Sequence, residues 1–297
     1  GIHDVEDMAR VKALVYDALK TGGIRVVNAD DPRMHPYITS RVEETTLFSL
    51  EDDNPMIGAH CSAGGKAWTL AAGVITQRTG SQVEHVIDVA EAPLMMGGAA
   101  YHNIANGLAA SAAAEAMGVS LGAIRAALAA FGGKPEDNPG RCQQITLGGV
   151  RIIMDFGHNP HGLSAILGMA GRLLAGTAGR IGVSVGQAGD RTDPEIRGLC
   201  DMLHAHRTER VMLRDMAGYE RGRQPGEVAE MMASRLVELG TNPDAISIVG
   251  SETAALEEAM SWARPGDVIL LLVHLQREAV QGWLRQFQGT ALDPSND

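Results

Sequence analysis

Beyond a stretch rich in glycine and proline at residues 132–140, the sequence alternates short apolar runs with helical ones, and no other feature restricts the fold as strongly. Runs at 150–155, 181–185, 210–213, 245–249 and 268–273 read as strands. Between them, 162–174, 194–206, 225–239 and 252–263 have helical spacing. Strand–helix alternation predicts a parallel sheet covered on both faces.

The part before residue 132 is patterned differently. Val5, Met8, Ala9, Val11, Leu14, Val15 and Leu19 recur at helical spacing, and Gly22-Gly23 stops that helix. Residues 24–27 read as a buried strand, followed by the turn-like Asn28-Ala29-Asp30-Asp31-Pro32. From about residue 45 to 94 the pattern becomes short β-type runs, at 57–62, 67–70, 74–77 and 83–89. Gly64-Gly65 and Gly80-Ser81 read as hairpin turns. A long alanine-rich helix at 103–117 then meets Gly118 as its C-terminal cap, and a second helix at 120–131 takes Ser120 as its N-cap. At 297 residues the chain suits two domains, here 1–139 and 140–297.

Composition removes several classes of function. A net charge of −11 argues against non-specific binding to nucleic acid or to an anionic membrane. Cys61, Cys142 and Cys200 are odd in number and far apart, without CxxC or Cys/His ligand spacing. That excludes a disulfide framework and a zinc site, and fits reduced thiols in a cytoplasmic protein. No apolar run is long enough to span a bilayer.

In open α/β sheets, ligands bind beyond the carboxyl ends of the strands. Asp155, His158, Asn159 and Pro160 follow the first strand of the second half; Gly186-Gln187-Ala188-Gly189-Asp190-Arg191 follows the next. Arg214 and Asp215, then Arg221 and Arg223, follow the third; Ser251 and His274 follow the last two. Asn159 equally suits a helix cap, and the Arg221/Arg223 pair suits solvated surface. The 186–191 segment resembles an anion loop at a helix N-terminus, without the GxGxxG of dinucleotide binding. GxSxG occurs twice, around Ser120 and Ser184, but neither serine sits on a strand-to-helix turn, as a nucleophile elbow requires. GxxxxGK[ST] is absent; Gly132-Gly133-Lys134-Pro135 imitates only its end, with proline where a hydroxyl would hold magnesium.

Four segments fall in the order found in Mur ligases. Asn28-Ala29-Asp30-Asp31-Pro32 resembles the NADDP turn of their central domain. Tyr101-His102-Asn103-Ile104-Ala105-Asn106, with Ala109-Ala110, resembles the HNxxNxxAA helix start. Asn138-Pro139-Gly140-Arg141 resembles the junction bearing a nucleotide-contacting arginine. Met154-Asp155-Phe156-Gly157-His158-Asn159-Pro160 resembles DYAHNP, with Phe156 and Gly157 replacing tyrosine and alanine. The 186–191 loop, Arg221-Gly222-Arg223 with Pro225-Gly226-Glu227, Arg264-Pro265-Gly266-Asp267 and the opening 1–12 favour the cyanophycin synthetase branch.

The resemblance implies an α/β chain: part of a Mur ligase central domain with a β-rich segment, then a Rossmann-like C-terminal domain with a parallel sheet. It implies an ATP site drawing on Asn103, Asn106, Arg141, Asp155, His158 and Asn159, with Asn28 and Asp31 at its turn. An amine-substrate loop would use Gly186, Gly189, Asp190 and Arg191; by position alone, Asp190, Asp193 and Asp215 are candidates to meet a guanidinium. The implied reaction consumes ATP with Mg2+: a carboxylate becomes an acyl phosphate, and an amine attacks it. Arginine would be the amine and an aspartate-bearing peptide the carboxylate partner, and a homo-oligomer is compatible with the sequence.

Because the phosphate-binding loop and the family's metal-binding acid and histidine have no counterpart here, the chain is expected to be a fragment. It is expected to be inactive alone, with no catalytic or metal residue of its own. Its start at Gly1, running straight into a helix, agrees with that expectation. Two other readings compete: a non-catalytic assembly or partner-binding module derived from a Mur ligase, and another ligase of the Mur or folylpolyglutamate type.

Overall fold

The computed structural model describes residues 4–38, 41–134 and 136–290, so Pro135 of the phosphate-loop lookalike lies outside the described residues. The chain divides into two compact units between Gly133 and Lys134.

The first unit runs α1 (Val5–Asp17), β1 (Arg25–Asn28), β2 (Thr45–Ser49), α2 (Pro55–Ser62), β3 (Lys66–Ala71), β4 (Val74–Thr79), β5 (Gln82–Asp88), α3 (Tyr101–Ala116) and α4 (Leu121–Ala130). Its sheet follows that strand order, with β1, β2 and β3 parallel and β4 and β5 added as antiparallel hairpins. Side chains alternate across a strand, so neighbours in sequence serve opposite faces. Trp68 joins Ile75, Val86, Ile104, Leu108 and Ile124 on the α3–α4 side, while Ala67 joins Val27, Leu47, Ile57 and Cys61 on the other. Each large apolar side chain so buried contributes about 1.5–3 kcal/mol.

One expected strand is a helix. Residues 57–62 belong to α2, because Asn54 caps it by accepting the Met56 N–H and Pro55 occupies its first turn. Ile57, His60 and Cys61 lie at helical spacing and face inward. Gly64-Gly65 therefore joins a helix to β3 rather than turning a hairpin, whereas Gly80 does lie between β4 and β5. Gly118, at φ +86, and Ser120, accepting the Ala123 N–H, end α3 and start α4 as expected.

The second unit runs β6 (Gln143–Leu147), β7 (Val150–Asp155), α5 (Pro160–Leu173), β8 (Ile181–Gln187), α6 (Asp193–Ala205), β9 (Arg210–Asp215), α7 (Glu227–Glu238), β10 (Ile246–Ile248), α8 (Glu252–Trp262), β11 (Val268–Leu272) and α9 (Arg277–Thr290). The sheet order is β10-β9-β8-β11-β7-β6, parallel except for β6. β11 returns between β7 and β8, so the strand order reverses there and a crevice opens at their carboxyl ends. α8 and α9 cover one face through Met154, Met212, Leu256, Ile269, Leu271 and Leu284; α5, α6 and α7 pack side by side on the other. Two elements were not anticipated: the antiparallel strand β6 and the terminal helix α9.

All three cysteines are buried and none forms a disulfide among the described residues, and burial pushes the Cys200 thiol up to about 12. Among the described residues, no helix is long and apolar enough to cross a membrane.

Candidate functional site

In the first unit, the predicted residues stand at the end of β1 and the start of α3. Asn28 turns the chain by accepting the Asp30 N–H at 2.9 Å. Asp31 caps the short helix Pro32–Tyr37 and takes two bonds from the Arg33 guanidinium; that bonding holds its carboxyl below the usual range. The acid that fastens the turn is Asp30, which sequence reasoning did not single out. It accepts from the Leu50 N–H at 2.8 Å, Asn54 Nδ2 at 3.1 Å and the Ser49 hydroxyl.

The α3 helix starts without a side-chain cap, after Met96, Gly97 and Gly98, all in the left-handed region. Its N-cap residue, Ala100, has no side-chain oxygen to offer the first turn. Asn103 is buried and donates to the Leu94 carbonyl at 2.9 Å; Asn106, nearly one turn on, is exposed.

In the second unit, the carboxyl ends of β7, β8, β9 and β11 gather most of the predicted residues. Asp155 is 7% exposed and bound on both sides, accepting from the Cys142 N–H at 2.8 Å and the Gly157 N–H at 2.8 Å. It thereby holds the Arg141–Cys142 corner, where Cys142 itself has φ +48. Arg141 lays its guanidinium over the Phe156 ring at 5.0 Å. Asn159 caps α5 by accepting the Gly162 N–H at 2.8 Å, with Pro160 in the first turn. His158 lends its carbonyl to Gln187 Nε2, and its ring Nδ1 is buried with no hydrogen-bond partner among the described residues.

Of the most deeply buried charges here, Arg214 was read only as a strand-end residue and Glu252 only as the first residue of a helix. Arg214 at the end of β9 and Glu252 at the start of α8 are 1% and 2% exposed and form an ion pair at 2.9 Å. Glu252 also accepts the N–H groups of His274, Leu275 and Gln276. His274 accepts from Arg214 Nη2 through Nδ1 at 3.2 Å and donates through Nε2 to the Phe156 carbonyl at 3.2 Å. Burial, reinforced by the Arg214 charge, lowers its pKa to about 4, so the ring is neutral and the tautomer follows from its partners. The trio ties β9, β11 and the segment after β7 into one rigid edge.

The predicted amine loop is a clamp of the chain's own groups. β8 runs on through Gly186 to Gln187. At Gly189 a Cβ would lie 1.9 Å from the Glu220 carbonyl oxygen, so only glycine permits that approach. Arg223, expected on the surface, binds the Gly189 and Arg191 carbonyls, each at 3.0 Å, and the carboxylates of Asp193 and Glu227. Asp190 pairs with Arg221, Arg191 faces Glu195 at 3.9 Å, and Asp215 accepts the Gly226 and Ala229 N–H groups. Ser184 is buried within β8 and Ser120 caps α4, so neither GxSxG serine occupies a strand-to-helix turn. Among the described residues, no group of three or more His, Cys, Asp or Glu side chains could hold a metal ion.

Comparison with known proteins agrees with this architecture. Residues 140–272 match the family described as Mur ligase, glutamate ligase domain. Cyanophycin synthetase of Synechocystis sp. is 30% identical over 94% of this chain and 31% of its own length. The chain thus spans about a third of that relative. Among solved structures, MurF from Acinetobacter baumannii aligns with a TM-score of 0.60 at 17% identity, over 96% of this chain and 56% of that one. E. coli FolC in complex with DHPP and ADP aligns with a TM-score of 0.58 at 19% identity, over 97% and 58%. At such identities these two establish the shared fold.

Proposed function

We propose, from the premise that residues 140–272 form a Mur ligase C-terminal domain, that this chain is the nucleotide-closing part of an ATP-dependent amide ligase. The observation that carries the reading is the carboxyl edge of the second sheet. There Arg141 lies on Phe156 without an acidic partner among the described residues, beside the buried, unpartnered Nδ1 of His158. A guanidinium held on a ring and an unpartnered imidazole nitrogen near such a crevice suit a phosphorylated ligand. The cyanophycin synthetase relative and the ADP held by the FolC neighbour support the same ligand class.

In this reading Arg141 faces phosphoryl oxygens and stabilises charge that develops on them. Asp155 keeps the arginine's backbone corner in place, and Asn159 fixes the α5 start behind His158. In the first unit, exposed Asn106 can offer its amide to a ligand, while Asn103 spends its amide on the Leu94 carbonyl and Asn28 and Asp31 shape their own turn. ATP supplies the phosphoryl group that activates a carboxylate. The described residues, with no cluster of three or more His, Cys, Asp or Glu side chains, do not fit a magnesium site.

The finer assignment is addition of arginine to aspartate side chains. Asp190, Asp193 and Asp215 are each engaged by the chain's own groups, so an incoming guanidinium would first have to displace them. Asp190 is the most available, because its pair with Arg221 is exposed on both sides. The chain alone is expected not to turn over ATP.

The test is ADP release by this chain and by a longer polypeptide that joins a phosphate-binding loop upstream of it, with ATP, magnesium, arginine and an aspartate-rich primer. Release by the longer protein alone, dependent on arginine and primer, supports the proposal. Dependence on another amino acid in place of arginine reassigns it to another Mur or folylpolyglutamate-type ligase. Silence from both would sink the ligase reading.

One observation favours the assembly module instead. α1 exposes Val5, Met8, Val11, Leu14 and Val15, an apolar row of the kind that partners cover. Light scattering across a concentration series decides this: a fixed oligomer without ATP affinity would support the module.

A further inference from the structure

We infer that Arg141 and Arg277 form a two-guanidinium site for a phosphoryl or carboxylate oxyanion, seated over Gly140. The inference deepens the proposed nucleotide site and rests on that reading only for the choice of ligand probes.

Two observations bring the arginines together. Gln143 Oε1 accepts the Gly140 N–H at 3.3 Å and also accepts from Gln281 Nε2 at 3.3 Å. Gln281 is one helical turn beyond Arg277, so this link sets the first turns of α9 against residues 140–143. Secondly, the Arg277 guanidinium rests directly on Gly140. A Cβ there would meet Arg277 Nε at 2.9 Å and Cζ at 3.1 Å, and Gly140 has φ +69, where side chains are disfavoured. Glycine at 140 is thus the seat that Arg277 occupies.

Arg141 is the next residue, its guanidinium held on Phe156 and its corner anchored by Asp155. Neither arginine has an ion pair or hydrogen bond to its guanidinium among the described residues. Elsewhere in the unit Arg180, Arg210, Arg214, Arg223 and Arg235 each pair with a carboxylate, while Arg151, Arg197, Arg207, Arg264 and Arg285, like these two, form no ion pair among the described residues. What sets Arg141 and Arg277 apart is that they meet at Gly140, one resting on it and the other following it in the chain. An oxyanion seated there can accept from both forks and supply the negative charge that no carboxylate supplies.

Isothermal titration of the chain with inorganic tripolyphosphate, and separately with N-acetylaspartate, tests this across Arg277→Gln, Arg141→Gln, Gly140→Ala and a control, Arg285→Gln, on the exposed part of the same helix. We expect one probe to bind, which identifies the source as phosphoryl or carboxylate. Arg277→Gln and Arg141→Gln should each weaken it about tenfold or more, as loss of a charge-assisted bond does. Gly140→Ala keeps both charges and should still weaken binding, because its Cβ displaces Arg277; Arg285→Gln should leave it unchanged. Should Gly140→Ala unfold, Arg277→Gln decides alone, since it alters an exposed side chain. Wild-type binding of neither probe, unchanged binding by Arg277→Gln, or an equal loss with Arg285→Gln overturns the inference. None of these requires turnover, so the ligase reading stands or falls separately by ADP release.

Discussion

Both units place a polar network at the carboxyl ends of parallel strands, and they build it from opposite materials. In the first, Asp30 is exposed and takes neutral donors: a serine hydroxyl, an asparagine amide and a backbone N–H. In the second, Arg214 and Glu252 are both out of solvent and satisfy each other, with His274 kept neutral between them and the backbone. A hydrated acid that loses a neutral donor can turn to water. A buried charge that loses its counter-charge cannot, so the second edge is rigid and intolerant where the first is adaptable.

The largest expected effect breaks that contrast directly. Glu252→Ala leaves Arg214 uncompensated and three N–H groups unmet, and should cost about 3–5 kcal/mol in urea unfolding. Asp30→Asn, its counterpart, should cost about 1 kcal/mol; equal costs would erase the distinction.

Acid titration comes next. With a folded value of about 4 against an ordinary 6.5, His274 is the less protonated in the folded state. Its contribution is fully present above about pH 6.5 and is lost as pH falls toward 4, by at most roughly 3 kcal/mol. Arg214 and Glu252 are the charged groups that face the ring. His274→Gln should flatten the fall in thermal midpoint between pH 7 and pH 4.5; an unchanged slope would assign the acid sensitivity elsewhere.

Smaller effects sharpen the comparison at helix starts. Asn159→Ala and Ser120→Ala each remove one cap, and each should cost about 1 kcal/mol. If Asn159→Ala also weakens triphosphate binding while Ser120→Ala does not, Asn159 serves the ligand as well as the helix. Smallest of all, Arg221→Ala breaks an exposed pair and should shift stability by less than about 1 kcal/mol, while Arg223→Ala, which opens the 189–193 clamp, should exceed it.

The alternation of the second unit was legible because each buried strand and amphipathic helix carries its own period. The short run at 57–62 was not, since six apolar-rich residues fit either period; the preceding Asn54-Pro55, a cap and a first-turn proline, held the answer. β6 was legible in retrospect from Ile145 and Leu147 in alternation before Gly148-Gly149. Site residues beside a strand end could be placed, but not their partners. Arg214 and Glu252 lie 38 positions apart, and nothing local says that α8 begins where β9 ends. Arg277 was missed for the same reason, its neighbour Gly140 being far back in the chain.

The buried thiols make this chain its own reporter of breathing. Cys61 sits in one unit and Cys142 and Cys200 in the other, and the thiolate, not the thiol, is what an alkylating reagent captures. Each cysteine is therefore silent until its surroundings open. Labelling rates at Cys61 and Cys200, read from peptides of a single sample, time the local opening of the two halves against one clock.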